Sequence, residues 1–131
     1  MSVHKLLLLD ELLVVCQFPS KAPFPEWAQG DDLLALVRTP QEVTIVCAER
    51  FAPAGIKAEP GWRALQVEGP LEFNQIGVLA SLAGPLAQAG VSIFAISTFS
   101  TDYILVKHSQ LDQALLALEQ AGHSILPEPP G

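Results

Sequence analysis

A mixed α/β fold of the α+β kind, an antiparallel sheet with helices on one face, is predicted by three observations. Apolar residues make up 50% of the 131 residues and charged ones only 16%, a balance that favours a buried core over a disordered chain. Short apolar runs separated by proline and glycine fill the first half of the sequence, as in strands joined by turns. In the second half the hydrophobic period switches between two and about 3.6 residues in the order strand, helix, strand, strand, helix, strand. A chain of this length fits one ordinary domain or two small modules sharing a core.

In the first half the strands expected are Lys5 to Leu9, Leu12 to Phe18, Leu33 to Arg38 and Val43 to Cys47, with a brief helical turn at Pro25 to Ala28. The stretch FAPAGIKAEPG, Phe51 to Gly61, holds two prolines and two glycines and reads as a connection. It divides a strand-rich N-terminal module, 1–60, from a second module, 61–127. The tail PEPPG cannot continue a helix or a sheet, and 128–131 is expected to be flexible.

Trp62 to Glu68 alternates as a half-buried strand does. Asn74 to Ala89 places Leu79, Leu82, Ala83 and Leu86 on one helical face, Gly90 standing at its end and Pro85 bending its interior. Val91 to Thr98 and Tyr103 to Lys107 are strands around a polar turn. Ser109 is expected to cap a second helix with Leu111, Leu115 and Leu118 inward, Gly122 closing it before a last strand, His123 to Leu126. Right-handed crossovers then give a split β-α-β, ferredoxin-like sheet.

Composition excludes several function classes. With 7 Lys plus Arg against 14 Asp plus Glu the formal charge is −7, and no basic run exists to release counterions, so neither nucleic acid nor an anionic membrane is an expected partner. Asp10 and Glu11 split the opening run HKLLLLDELLVVC, too short on either side for a secretion signal or a membrane span. A cytoplasmic protein is expected. Cys16 and Cys47 sit among β-branched residues as buried structural thiols do. The histidines at 4, 108 and 123 have no metal spacing, and His108 and His123 read as ordinary surface or partly buried side chains. GVLASLAGPLAQAG lacks the dinucleotide and phosphate-loop patterns. The acidic pairs Asp10/Glu11 and Asp31/Asp32 read as solvated turn charges. No metal, cofactor or catalytic residue is predicted, and the protein is not expected to be an enzyme.

Two polar segments stand out. Glu72 to Val78 (EFNQIGV) leads into a helix whose first amides lack partners within it and carry partial positive charge, which suits a carboxylate. Thr98, Phe99, Ser100, Thr101 and Asp102 place hydroxyls, an aromatic ring and a carboxylate in one turn, which suits an ammonium. Within one module the two need not touch; modules lying side by side bring them together across an interface. In the alternative, Asn74 caps the helix and Asp102 caps the turn, with no ligand.

GVLASLAGPLAQAGVSIFAISTFSTDYILV resembles the ACT domain, in particular the small bacterial tandem-ACT proteins related to the CASTOR amino-acid sensors and, more distantly, the aspartate kinase regulatory domains. The resemblance is strongest from Trp62 to Gly122 and extends more weakly through PFPEWA, LVRTPQEVTIVCAE and IKAEPGWRAL. It implies two ACT-like modules in a homodimer or larger homo-oligomer, a free amino acid held between ACT modules, and a regulated protein of unknown identity. Carried over residue by residue, Ile76, Gly77 and Val78 offer backbone amides to the ligand carboxylate, beside Asn74 and Gln75. Thr98, Phe99, Thr101 and Asp102 line the opposite side, Asp102 pairing with the ligand ammonium or with a cationic side chain. A ligand-free module that dimerises through its sheets is the rival reading.

Overall fold

The computed structural model describes residues 3–72 and 75–127. Asn74 and the tail 128–131 therefore lie outside the described residues. The chain divides into two compact units, Asp10–Trp62 and a second made of Met1–Leu9 with Arg63–Gly131.

The first unit is an antiparallel sheet of β2 (Leu13–Phe18), β3 (Ala35–Arg38), β4 (Val43–Ala48) and the beginning of β5 (Ala58–Val67), in the order β3-β4-β2-β5. Val14, Cys16, Ala28, Val43, Ile45 and Cys47 form its core, with Phe18 and Trp27 against them. The stretch from Pro25 to Ala28 is a turn closed by the Ala28 amide on the Pro25 carbonyl at 3.2 Å, not a helix. Expected as part of a loop, residues 58–61 instead belong to β5: Leu13 pairs with Trp62 and Val15 with Glu59, so Pro60 and Gly61 fall in a bulge rather than ending the strand. One member of each acidic pair also departs from expectation. Glu11 Oε1 accepts the amides of Asp31 and Asp32 at 2.9 and 3.0 Å, Asp32 Oδ2 accepts the Glu11 amide at 2.9 Å, and Arg50 reaches Glu11 Oε2 at 3.0 Å. The Glu11 and Asp32 carboxylates thus brace a loop against a strand end, while Asp10 and Asp31 stand exposed as expected.

The second unit is ferredoxin-like, with β5, α1 (Val78–Gln88), β6 (Ile93–Ser97), β7 (Asp102–Lys107), α2 (Leu111–Gln120) and β8 (Ser124–Leu126) in the expected order. One strand was not foreseen in this place. The N-terminal segment β1 (Lys5–Leu8) pairs antiparallel with β5, Leu6 opposite Val67, and parallel with β8, Leu6 opposite Ile125. It stands between two strands that the simple split β-α-β arrangement would make neighbours. The order is β8-β1-β5-β7-β6. Leu6, Leu65, Val67, Ile104, Val106 and Ile125 of the sheet share one core with Leu82 and Leu86 of α1 and Leu111, Ala114 and Leu118 of α2. Both helices thus cover the same face.

Helix α1 starts at Val78, four residues later than periodicity suggests, because Gly77 stands in the left-handed region at φ 82° as its N-cap. The inward face is correspondingly Val78, Ser81, Leu82 and Leu86, and Leu79 is 37% exposed. Its end follows the reading: Gly90 takes φ 76°, and the amides of Gly90 and Val91 bond back to Ala87 and Leu86. Gln113 and Gln110 of the other helix segment donate to the carbonyls of Ala89 and Gly90. Helix α2 has no side-chain cap; His108–Gln110 forms a 3-10 turn before it, so Ser109 is not its N-cap.

The glycines of this region give a paired expectation. Gly84 lies in the exposed middle of α1 with nothing within 4 Å of an added Cβ, whereas Gly77 has equally open space but a positive φ. Gly84→Ala should raise stability by about 0.5–1 kcal/mol, and Gly77→Ala should lower it by about 1 kcal/mol. Urea melts of both variants check the opposite signs.

Candidate functional site

The start of α1 and the turn between β6 and β7 are positioned by strand-end chemistry. In the turn, Thr98 Oγ1 donates to the Thr101 carbonyl at 3.1 Å and accepts the Thr101 amide at 3.3 Å, while the Thr98 amide donates to the Thr101 carbonyl at 2.8 Å. Thr101 is buried and its hydroxyl donates to the Val67 carbonyl at 2.5 Å. The Leu71 amide donates to the Ser100 carbonyl at 2.7 Å. The segment leaving β5 is thereby tied to the turn, and Gly69 permits the approach, since a Cβ there would stand 3.1 Å from the Ser100 oxygen.

The consequence is a cleft of about 460 Å³ within this unit, lined by Glu72, Gln75, Gly77 and Val78 on the helix side and by Ser97, Thr98, Phe99, Thr101 and Asp102 on the hairpin side. The two polar segments thus meet within one unit. Asp102 is half-buried and its Oδ1 accepts from Ser97 Oγ at 2.6 Å, across a cross-strand pair. On the other wall Val78, Leu79 and Ala80 are the first residues of a helix whose first internal bond runs from the Ser81 amide to the Gly77 carbonyl at 2.9 Å. Their own amides have no acceptor inside the helix. The described lining holds the carboxylates of Glu72 and Asp102 and no Lys, Arg or His. Such a wall repels anions and accepts an ammonium, while the helix start favours a carboxylate.

The remaining expected site residues fall differently. Ile76 is 92% exposed and is not among the lining residues; Phe99 lines the cleft while 81% exposed. The Thr98 and Thr101 hydroxyls are engaged in bracing, so their contribution is to shape the wall. Glu72, which opens the predicted segment but was not among the expected ligand contacts, lines the cleft, as does Ser97; nearness to the helix start and to Asp102 was the available signal.

Cys16 and Cys47 are free and buried. Burial pushes the Cys16 thiol up to about 11, with Cys47 adding to it, and burial also raises Cys47, so neither is a ready thiolate. Among the described residues no group of three or more His, Cys, Asp or Glu side chains is placed to hold a metal ion. No helix among them is long and apolar enough to cross a membrane.

An ACT-domain model matches residues 57–120, the segment that contains the whole cleft, and a model of an N-terminal domain matches residues 11–54. A crystal structure of an Agrobacterium tumefaciens protein superposes with a TM-score of 0.91 at 32% identity, covering 99% of this chain and 97% of that one. The chain belongs to the ACT-domain family. Over 60 residues, 45% of this chain, it is 38% identical to the cytosolic arginine sensor for mTORC1 subunit 1 of Homo sapiens. That match spans only 18% of the human protein. The ligand-free regulatory subunit of aspartate kinase from Thermus thermophilus shares the fold with a TM-score of 0.64 at 16% identity, covering 92% of this chain and 99% of that one. In this ACT domain the cleft lies between the helix that follows the first strand of the repeat, β5, and the turn of the central hairpin.

Proposed function

We propose that this ACT-domain protein is a regulatory module that binds a free amino acid in the cleft, the ligand carboxylate at the start of α1 and its ammonium at Asp102. The observation that carries this reading is the meeting of an acidic, cation-free wall with an open helix N-terminus in a cleft of about 460 Å³. Relatives include a protein named as an arginine sensor, and the carboxylates of Glu72 and Asp102 suit a ligand of zero or positive net charge. Self-association, with another ACT module closing over the exposed Ile76 and Phe99, belongs to the same proposal, as do a cytoplasmic location and the absence of an enzymatic reaction. Occupancy becomes a signal only if the ligand distinguishes two states of the protein. What receives that signal is a partner of unknown identity.

The rival is a ligand-free module pairing through its sheets, and the use of Thr98 and Thr101 within their own turn favours it. Thermal unfolding against each of the twenty amino acids separates the two readings. A ligand at about 100 times its Kd should add about 2.7 kcal/mol of stability. A flat response to all twenty would leave the rival standing.

A further inference from the structure

His123 is 4% exposed and lies outside the cleft. Both of its ring nitrogens are engaged. The backbone amide of His4, just before β1, donates to Nδ1 at 3.0 Å, and Nε2 stands 2.9 Å from the Ser81 carbonyl. With Nδ1 accepting, a neutral ring carries its proton on Nε2 and donates it to Ser81. That carbonyl needs a donor for a reason written in the sequence: its normal partner four residues on is Pro85, which has no N–H. The His4 ring stacks on His123, with centroids 5.9 Å apart and planes at 11°. Ser81 closes the first turn of α1 through its amide on Gly77, and its hydroxyl donates to the Val78 carbonyl at 2.7 Å. One imidazole therefore fastens the N-terminal strand to the turn of helix that lines the cleft.

The geometry points to a proton-operated latch: neutral, the His4–His123 pair ties β1 to α1, and a proton on the pair breaks that tie at its β1 end, between His4 and His123, while Nε2–H keeps its hold on Ser81. A second proton on His123 would place an N–H on Nδ1 facing the His4 N–H, converting an acceptor into a clashing donor. A proton on His4 would set a charge against the stacked, buried ring. Among the described groups, His123 from the segment before β8 and the Asp102 carboxylate from β7 act on His4. Burial lowers the His4 pKa below the ordinary 6.5, His123 lowers it further, and Asp102 opposes them. The sign follows. Below pH 6.5 the unfolded chain takes up a proton at residue 4 that the folded chain resists, so this stability is complete above that pH and is lost as pH falls toward the folded pKa.

This deepens the amino-acid reading by supplying regulation to its cleft, and so rests on that reading for its purpose but not for its test. Amide hydrogen exchange on the ligand-free full chain at pH 7.5 and 5.5, corrected for intrinsic rates, measures the latch directly. Protection at the His4 amide, and at the Ser124 amide that donates to the His4 carbonyl at 3.0 Å, should fall about tenfold beyond the change at β2 and β4, the worth of one buried hydrogen bond. His123→Gln keeps a donor within reach of Ser81 but cannot titrate, and should abolish the pH difference; His4→Gln, at a half-buried position, should reduce it. Uniform protection at both pH values in the natural sequence, or an unchanged pH difference in either variant that folds, overturns the latch. Thermal shift with L-arginine and the other amino acids at both pH values then reads the coupling: binding at pH 7.5 that weakens at pH 5.5 in the natural chain but not in His123→Gln supports it. Equal binding at both pH values overturns the link to the cleft. If no amino acid binds at either pH, the ligand reading fails while the exchange result still decides the latch.

Discussion

Leu6→Ala is expected to destabilise the protein by about 2–5 kcal/mol, as do other leucine truncations in sealed cores. Leu6 is 1% exposed and sits opposite Val67 on one side and Ile125 on the other, in the core that the two helices cover. Shortening it removes apolar burial from strand, neighbour strand and helix together, and β-sheet backbone on both sides limits collapse into the void. Leu116→Ala is the control, because Leu116 lies on α2 and is 59% exposed, and surface changes of this kind stay within about 0.5 kcal/mol. Urea denaturation of the two variants measures the difference. Equal effects would mean that β1 is not an integral strand of the ACT unit.

That expectation marks where the sequence stops being legible. The strand Lys5–Leu8 itself was readable from its apolar run, as were α1, α2 and the β6–β7 hairpin, because period and turn chemistry are local properties. Its pairing was not. Nothing within residues 5–8 states that their neighbours are Val67 and Ile125, since a strand's partners are chosen by complementary edges far along the chain. Local misreadings have equally specific causes. Pro60 and Gly61 are turn residues in isolation, yet a bulge absorbs them within β5. The α1 boundary was misplaced because Gln75 and Ile76 continue the composition of a helix, while the positive φ of Gly77 is a backbone fact that composition only hints at.

The candidate site was legible in its chemistry and not in its assembly. Asp102 and the helix start could be picked from residue types, but their meeting inside one unit depends on Leu71 bonding Ser100 and Thr101 bonding Val67, contacts between segments that no spacing rule connects. His123 shows the opposite case, a signal that was present and unused. Pro85 four residues after Ser81 announces an unpaired carbonyl on a buried helix turn. A nearby donor had to exist, and a histidine beside the glycine that closes α2 supplies it.

Asp102→Ala should abolish amino-acid-induced stabilisation while changing the ligand-free stability by less than about 1 kcal/mol. Among the described residues the carboxylate accepts from the exposed Ser97 hydroxyl, a bond that water replaces at little cost. Under a bound ammonium the same group becomes one half of a charge-assisted pair, and losing it should remove the gain of about 2.7 kcal/mol expected at 100 times Kd. Asp102→Asn separates charge from shape, since the amide oxygen still accepts from Ser97 but cannot neutralise an ammonium. Thermal unfolding with and without the responding amino acid reads both variants. Loss of ligand response in both, with ligand-free melts near the natural chain's, supports ammonium binding; a ligand-free collapse in Asp102→Ala that Asp102→Asn repairs assigns the residue to capping the turn. The carboxylate also reaches beyond the cleft, because it is the influence that holds the His4 pKa up against burial and His123. Removing it lowers the folded His4 pKa further, so the stability lost below pH 6.5 becomes larger and its loss continues to lower pH.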